Sequence, residues 1–286
     1  YSYLMTKLNS YLSLIRFYNP IGFWLLLWPG LWGLFLSDNF NIENFTIVVL
    51  GSFLTRSLGC AINDFLDKDF DKSVERTKNR PIASKELSLS EAGIFIILLA
   101  SFCIFLLMQT NPYTIKLVSY IAIPMIILYP LMKRFLAMPQ LFLGATFGLS
   151  LPISYSIAES TLSLEVIFLY IGCIFWIIAY DTYYALCDLD DDKKLNLNSS
   201  AIFFGKDTQK AIILFSMLFL GVIVIFAIKN YSLILGAGAV FLFYQIYFQN
   251  ELSKANKNLD AFKANSHIGL VIAILLFIEN QNELFS

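Results

Sequence analysis

The chain has 286 residues, of which 58% are hydrophobic, 16% aromatic and only 14% charged, with a formal net charge of −1. Soluble globular domains carry about 25% charged residues, so the apolar excess points to lipid as the surrounding solvent. The near-neutral charge leaves no electrostatic footprint for a nucleic-acid partner, and the lone His267 excludes a multi-histidine metal centre.

Taken in chain order, nine stretches are long and apolar enough to cross a bilayer: 17–37, 46–66, 91–109, 115–132, 139–158, 164–187, 211–228, 232–249 and 267–278. The last is short and is expected to begin earlier, near Ala261. The expected fold is therefore all-α, an integral membrane bundle of about nine transmembrane helices around a central cavity. It forms one domain over residues 1–286, with longer cytoplasmic cap loops at about 67–90 and 188–210. Pro124, Pro130 and Pro152 fall inside spans, which membrane helices tolerate when neighbours satisfy the freed backbone. No cleavable signal peptide is expected, because the first apolar stretch is itself long enough to span.

The connecting segments test this count independently. Segments 38–45, 110–114 and 156–165 carry no base and the later turn on that side holds Lys229 alone, whereas the alternate ones hold Lys68 to Lys85, Lys133 and Arg134, Lys193 to Lys210, and Lys254 to Lys263. Bases concentrate on the cytoplasmic side, which places the N-terminus inside and predicts a C-terminus on the opposite face. Cys60, Cys103, Cys173 and Cys187 all lie in apolar stretches without a CxxC pair, where a thiol serves as a small hydrophobe.

Two charged motifs leave helix ends. The first is Asn63-Asp64-Phe65-Leu66-Asp67-Lys68-Asp69-Phe70-Asp71, and the second is Tyr180-Asp181 followed by Asp188-Leu189-Asp190-Asp191-Asp192. Residues three and four apart share a helix face, so Asn63 or Asp64, Asp67 and Asp71 form one oxygen-donor column, and Asp181, Asp188 and Asp192 form another. The repeat aligns Asp64 with Asp188. Acids at membrane depth are expensive and mark a site. Carboxylates without His or Cys suit Mg²⁺, which is held by a few carboxylates together with substrate phosphates. Asn63, Asp64, Asp67, Asp71, Asp188 and Asp192 are thus the candidate metal ligands, and Asp67, Asp71, Asp188 and Asp192 the candidate catalytic set. The bases Arg76, Lys78, Arg80 and Arg134 are the candidate anion-binding groups.

Together with Arg76-Thr77-Lys78-Asn79-Arg80-Pro81 and Tyr180-Asp181-Thr182-Tyr183-Tyr184-Ala185, these motifs resemble the UbiA prenyltransferase superfamily, and the Tyr180–Asp192 block resembles its hydroxybenzoate branch. Similarity continues through Pro20-Ile21-Gly22, Leu27-Trp28-Pro29, Tyr129 to Arg134, Leu143-Gly144-Ala145 and Ser200 to Gly205, over essentially the whole chain. Asn196 to Ser200 departs from that branch, which often has a basic-Ser-Thr run there.

The resemblance implies Mg²⁺-assisted transfer of a polyprenyl chain from polyprenyl diphosphate to the position ortho to the hydroxyl of 4-hydroxybenzoate, a step of ubiquinone biosynthesis in the bacterial inner membrane. Membrane lipid is then a partner, and no obligate protein partner is implied. Arg76, Lys78, Arg80 and Arg134 would bind the diphosphate, while Arg56, Asn63 and Asp181 would bind the acceptor. Phe65, Phe70, Tyr129, Phe147, Tyr155, Tyr180, Tyr183 and Tyr184 are candidates to face the allylic cation. Two alternatives stay open: a different aromatic acceptor within the superfamily, and a cation transporter using the aspartates as an ion path.

Overall fold

The computed structural model describes residues 2–72 and 77–285, with side chains from 5 to 281 within them. All regular structure among the described residues is helical. In chain order the elements are α1 (Ser2–Leu14), α2 (Ile21–Phe35), α3 (Ile42–Leu66), α4 (Lys68–Asp71), α5 (Leu89–Leu107) and α6 (Pro112–Leu117). They continue with α7 (Ile123–Phe135), α8 (Pro139–Gly148), α9 (Ser150–Glu159), α10 (Leu164–Cys187) and α11 (Leu189–Lys194). The last four are α12 (Ser200–Phe204), α13 (Thr208–Lys229), α14 (Leu233–Lys254) and α15 (Asn258–Phe285).

Among the described residues, eight helical stretches are long and apolar enough to cross a membrane, and a ninth, Ile21–Phe35, is apolar but shorter. The chain is an integral membrane protein. The first span is 15 residues long rather than the expected 21, because residues 17–20 form a turn ahead of the helix. The last helix begins at Asn258, earlier than the apolar run alone indicates, since Ala261 and Asn265 are already buried in it. Helix α5 is apolar all round, and Ile94, Ile97, Phe102, Ile104 and Phe105 stand exposed on it. A helix with no polar face belongs in hydrocarbon.

Prolines mark the irregular points. α6 and α7 are joined by a π-turn, Val118–Ala122, in which the Ile123 N–H donates to Val118 O, five residues back. Pro124 follows at once and has no N–H to give, so the widened turn absorbs its missing bond. The expected span 139–158 is divided at Leu149 into α8 and α9, three residues before Pro152. Pro152 cannot donate to the carbonyl of Gly148, which is where the helix resets.

The chain gathers into two compact units, one comprising residues 1–27 and 46–110, the other 28–45 and 111–286. In the first, Leu14, Ala61, Ile82, Leu87, Ala92 and Leu99 make a buried core, with Tyr11, Leu54, Leu58 and Phe95 packed around it. Polar ties seal its edge. Ser88 caps α5 in a reciprocal capping box with Glu91, and Lys7 bridges Glu91 at 2.7 Å and the Glu86 carbonyl at 2.9 Å.

In the second unit α10 is central, packing on α8, α13 and α15, while α13 continues to α14 and α14 to α15. Gly172 of α10 lets α13 come close, since a Cβ there would lie 2.7 Å from Val222 Cγ1. Small residues at helix contacts are what membrane bundles use to gain dispersion contact in the absence of a hydrophobic drive between helices. Trp32, Trp176 and Phe219 cluster with ring centroids 5.0–5.9 Å apart. Both indole N–H groups are satisfied, Trp32 on the Gly269 carbonyl and Trp176 on Asn265 Oδ1, each at 2.9 Å.

Candidate functional site

The first motif occupies the end of α3. Asp67 breaks the helix with φ −90° and ψ 5°, yet its N–H still bonds the Asn63 carbonyl at 2.9 Å, and the Asp71 N–H bonds the Asp67 carbonyl at 2.8 Å. Helical spacing therefore survives the break, and the short α4 carries Asp71 onto the expected face. The acids separate by environment. Asp64 and Asp71 are buried at 1% and 6% exposure, whereas Asp67 and Asp69 are exposed. Asp69 pairs with Lys72 at 2.8 Å, and that hydrogen bond holds its carboxyl below the usual carboxylate range.

Among the described residues, two guanidinium groups serve the buried pair. Arg16 Nη2 donates to Asp64 Oδ1 at 2.6 Å, and Arg80 Nη1 lies 3.1 Å from the same oxygen. Arg80 Nη1 also reaches Asp71 Oδ2 at 2.9 Å and Oδ1 at 3.1 Å. Thr77 Oγ1 donates to the Asp71 carbonyl at 3.2 Å, tying the basic segment back to α4. Asp64 Oδ2 is buried with no hydrogen-bond partner among the described residues. Asn63 is half-buried and Lys78 exposed, while Arg76 lies outside the described residues.

The second motif repeats this construction at the end of α10. Asp188 breaks the helix with φ −97° and ψ 2°, its N–H bonds the Tyr184 carbonyl at 3.3 Å, and the Asp192 N–H bonds the Asp188 carbonyl at 2.9 Å. The backbone thus aligns Asp67 with Asp188 and Asp71 with Asp192. This corrects the register expected from sequence, which set Asp64 against Asp188; carboxyl spacing alone does not reveal where a helix breaks. Asp192 is buried at 4% exposure with Lys133 Nζ 3.4 Å from Oδ1, while Asp190 and Asp191 are exposed. Asp191 faces Lys194 at 3.5 Å on the outer side.

Deeper on α10, half-buried Asp181 accepts from Gln140 Nε2 at 3.3 Å. Gln140 Oε1 in turn accepts from the Ser200 N–H at 2.8 Å, and Ser200 Oγ pairs with Thr182 Oγ1 at 2.8 Å. One glutamine thereby links α8, α10 and the start of α12. Arg134 is exposed, while its neighbour Lys133 meets Asp192 of the second motif.

Arg56, two turns deeper on α3 than Asn63, lines a cavity of about 280 Å³ with Arg16, Asn19, Phe23, Trp24, Phe53 and Ser57. Phe23 packs on Trp24 and Phe53 at centroid distances of 4.9 and 6.0 Å, so the cavity presents aromatic walls beside guanidinium groups.

No three His, Cys, Asp or Glu side chains among the described residues converge as a self-sufficient metal cage. The donor chemistry nonetheless suits a hard cation. The candidate ligands are all oxygen, one buried carboxylate oxygen is left over on Asp64, and Mg²⁺ characteristically takes one or two carboxylates and completes its shell with substrate phosphate. Sequence reasoning passed over Arg16, Lys133 and Gln140. The first two look like ordinary positive-inside bases, and the third is a lone amide opening an apolar span.

Comparison with known proteins follows the same outline. The UbiA prenyltransferase family matches residues 26–267. A protein of Polynucleobacter asymbioticus named 4-hydroxybenzoate octaprenyltransferase is 43% identical over 270 residues, covering 92% of this chain and 93% of its own. A Vibrio atlanticus protein of the same name is 36% identical over 286 residues, covering 96% and 99%. Among solved structures, an apo UbiA homologue from Aeropyrum pernix K1 superposes with TM-score 0.77 at 21% identity, covering 90% of this chain and 97% of that one. A UbiA homologue from Archaeoglobus fulgidus bound to GPP and Mg²⁺ superposes with TM-score 0.72 at 17% identity, covering 94% and 99%. At these identities the structures speak to the fold, while the family match and the closer relatives speak to descent: this chain belongs to the UbiA prenyltransferase family.

Proposed function

We propose that the protein transfers a long polyprenyl group from its diphosphate to the ring carbon ortho to the hydroxyl of 4-hydroxybenzoate, a step toward ubiquinone. The observation that carries this reading is the identity of 36–43%, over more than nine-tenths of the chain, to proteins named for that activity. The relatives' names indicate an octaprenyl donor.

In this reading Asp67, Asp71, Asp188 and Asp192, with Asn63 and the second oxygen of Asp64, would hold Mg²⁺. The ion supplies charge stabilisation to the departing diphosphate. The chain's own part is to bind and orient. Arg76, Lys78, Arg80 and Arg134 bind diphosphate oxygens, for which a guanidinium is shaped. Arg16 holds the Asp64 carboxylate in place at 2.6 Å. Arg56 takes the acceptor carboxylate in the aromatic-walled cavity, with Asn63 and Asp181 contacting the acceptor. The aromatic side chains exclude water from the allylic cation and stabilise it through their ring faces. The isoprenoid tail lies in hydrocarbon.

The protein sits in the bacterial inner membrane with its N-terminus cytoplasmic, and segments 67–90 and 188–210 form cytoplasmic caps on one membrane-embedded catalytic domain. The test is purified protein in lipid nanodiscs with Mg²⁺, octaprenyl diphosphate and a panel of aromatic acids, read by mass spectrometry. 4-Hydroxybenzoate gaining one octaprenyl mass, with none formed when Mg²⁺ is chelated, is the expected result. Efficient product from another acceptor, with none from 4-hydroxybenzoate, overturns the substrate assignment.

A further inference from the structure

Gly22 stands in the first turn of α2, two residues after Pro20, whose carbonyl accepts from the N–H groups of Phe23 and Trp24 at 2.9 and 3.1 Å. Glycine weakens a helix relative to alanine. Its backbone offers no compensating reason here, since Gly205 is the only glycine with positive φ among the described residues. The reason is spatial. A Cβ built on Gly22 would lie 2.5 Å from both Nε and Nη2 of Arg56 and 2.7 Å from its Cζ. With Nε and Nη2 equally near and Cζ behind them, the guanidinium turns its Nε–Nη2 edge toward the glycine and occupies the space any other residue's side chain would fill. The obstructed group is the tip of one long side chain and not a backbone, so an alanine is accommodated by moving Arg56, without unfolding the helix.

We propose that Gly22 is the positioning residue for Arg56: the slot left by its absent side chain holds the guanidinium at one depth and orientation in the aromatic-walled cavity. It thereby sets the preference for an acceptor bearing a carboxylate. This rests on the reading of Arg56 as the acceptor-carboxylate site. Arg56 lines the cavity and Gly22 does not, so Gly22 acts from behind the arginine rather than by touching the acceptor. A planar fork discriminates only when its plane is fixed. Once displaced, it keeps its charge but loses the paired hydrogen bonds that distinguish a carboxylate from a neutral amide.

The experiment is steady-state kinetics of the full-length protein in nanodiscs, with 4-hydroxybenzoate and 4-hydroxybenzamide as alternative acceptors. Gly22→Ala, Arg56→Ala and the double variant are compared, with Gly93→Ala as control, because a Cβ at Gly93 meets nothing within 4 Å. Gly22→Ala is expected to raise the KM for 4-hydroxybenzoate about tenfold, the scale of one charge-assisted hydrogen bond. The donor KM and the melting temperature stay at wild-type values, and the preference for acid over amide collapses. In the Arg56→Ala background the Gly22 substitution should have no further effect on acceptor KM. An Arg56→Ala enzyme with raised acceptor KM beside an unchanged Gly22→Ala enzyme overturns the positioning role while leaving Arg56 in the site. An unchanged acceptor KM in Arg56→Ala removes the reading beneath it. A Gly22→Ala effect that persists without Arg56, or that lowers melting temperature and donor affinity alike, assigns Gly22 to helix packing instead.

Discussion

Removing Arg16 tests the electrostatics of the first motif. Asp64 is buried at 1% exposure and shares one carboxylate oxygen between Arg16 Nη2 at 2.6 Å and Arg80 Nη1 at 3.1 Å. Arg16→Ala leaves a buried carboxylate with one guanidinium, itself already engaged by Asp71. Total loss of a buried partner costs about 3–5 kcal/mol. Because Arg80 remains, the expected cost is that of one charged hydrogen bond, about 1.5–3 kcal/mol. For a chain of this size about 2 °C accompanies each kcal/mol, so the apparent melting temperature in detergent should fall roughly 3–6 °C. Lys194→Ala, which removes a 3.5 Å pair between exposed side chains, should shift it by less than about 1 °C. Arg16→Lys should recover part of the loss. In an Asp64→Asn background the Arg16→Ala cost should shrink, because no buried charge is then abandoned. An Arg16→Ala protein that melts with the Lys194→Ala control would show that Asp64 does not depend on Arg16.

Three further outcomes are expected. Asp67→Ala, Asp71→Ala, Asp188→Ala and Asp192→Ala should each nearly abolish turnover while the protein still accumulates in membranes; wild-type rates in any two of them would remove the metal assignment. A reporter fused after Ser286 should read periplasmic, and reporters inserted within 77–84 or 196–200 should read cytoplasmic; a cytoplasmic C-terminus would show an even number of crossings. Gly172→Leu should destabilise the α10–α13 contact by about 1–3 kcal/mol through overpacking, measured as a lowered detergent melting temperature, because even a Cβ there lies 2.7 Å from Val222 Cγ1 and 3.0 Å from its Cβ.

Much of this protein is legible from the sequence because the relevant physics is local. A run of about 20 apolar residues must cross a bilayer whatever its neighbours are, since hydrocarbon leaves no other way to satisfy the backbone. The spans from Ile42–Leu66 through Leu164–Cys187 follow directly from that. The two aspartate motifs are equally local, each a few residues leaving a helix end, and they also carry the family resemblance. What no local pattern encodes is which base answers which acid. Arg16 lies 48 residues before Asp64, and Lys133 lies 59 before Asp192. A linear reading shows both only as positive-inside charges. Arg16 reaches Asp64 from a turn in which it takes φ 60°, a left-handed conformation that composition does not announce. The register of the two motifs was likewise decided by where α3 and α10 break, and the meaning of Gly22 by an arginine 34 positions later. The length of an apolar run determines which segments enter the membrane; the pairing of charges and the seating of one side chain against a distant glycine depend on contacts far apart in sequence, and only the folded chain supplies them.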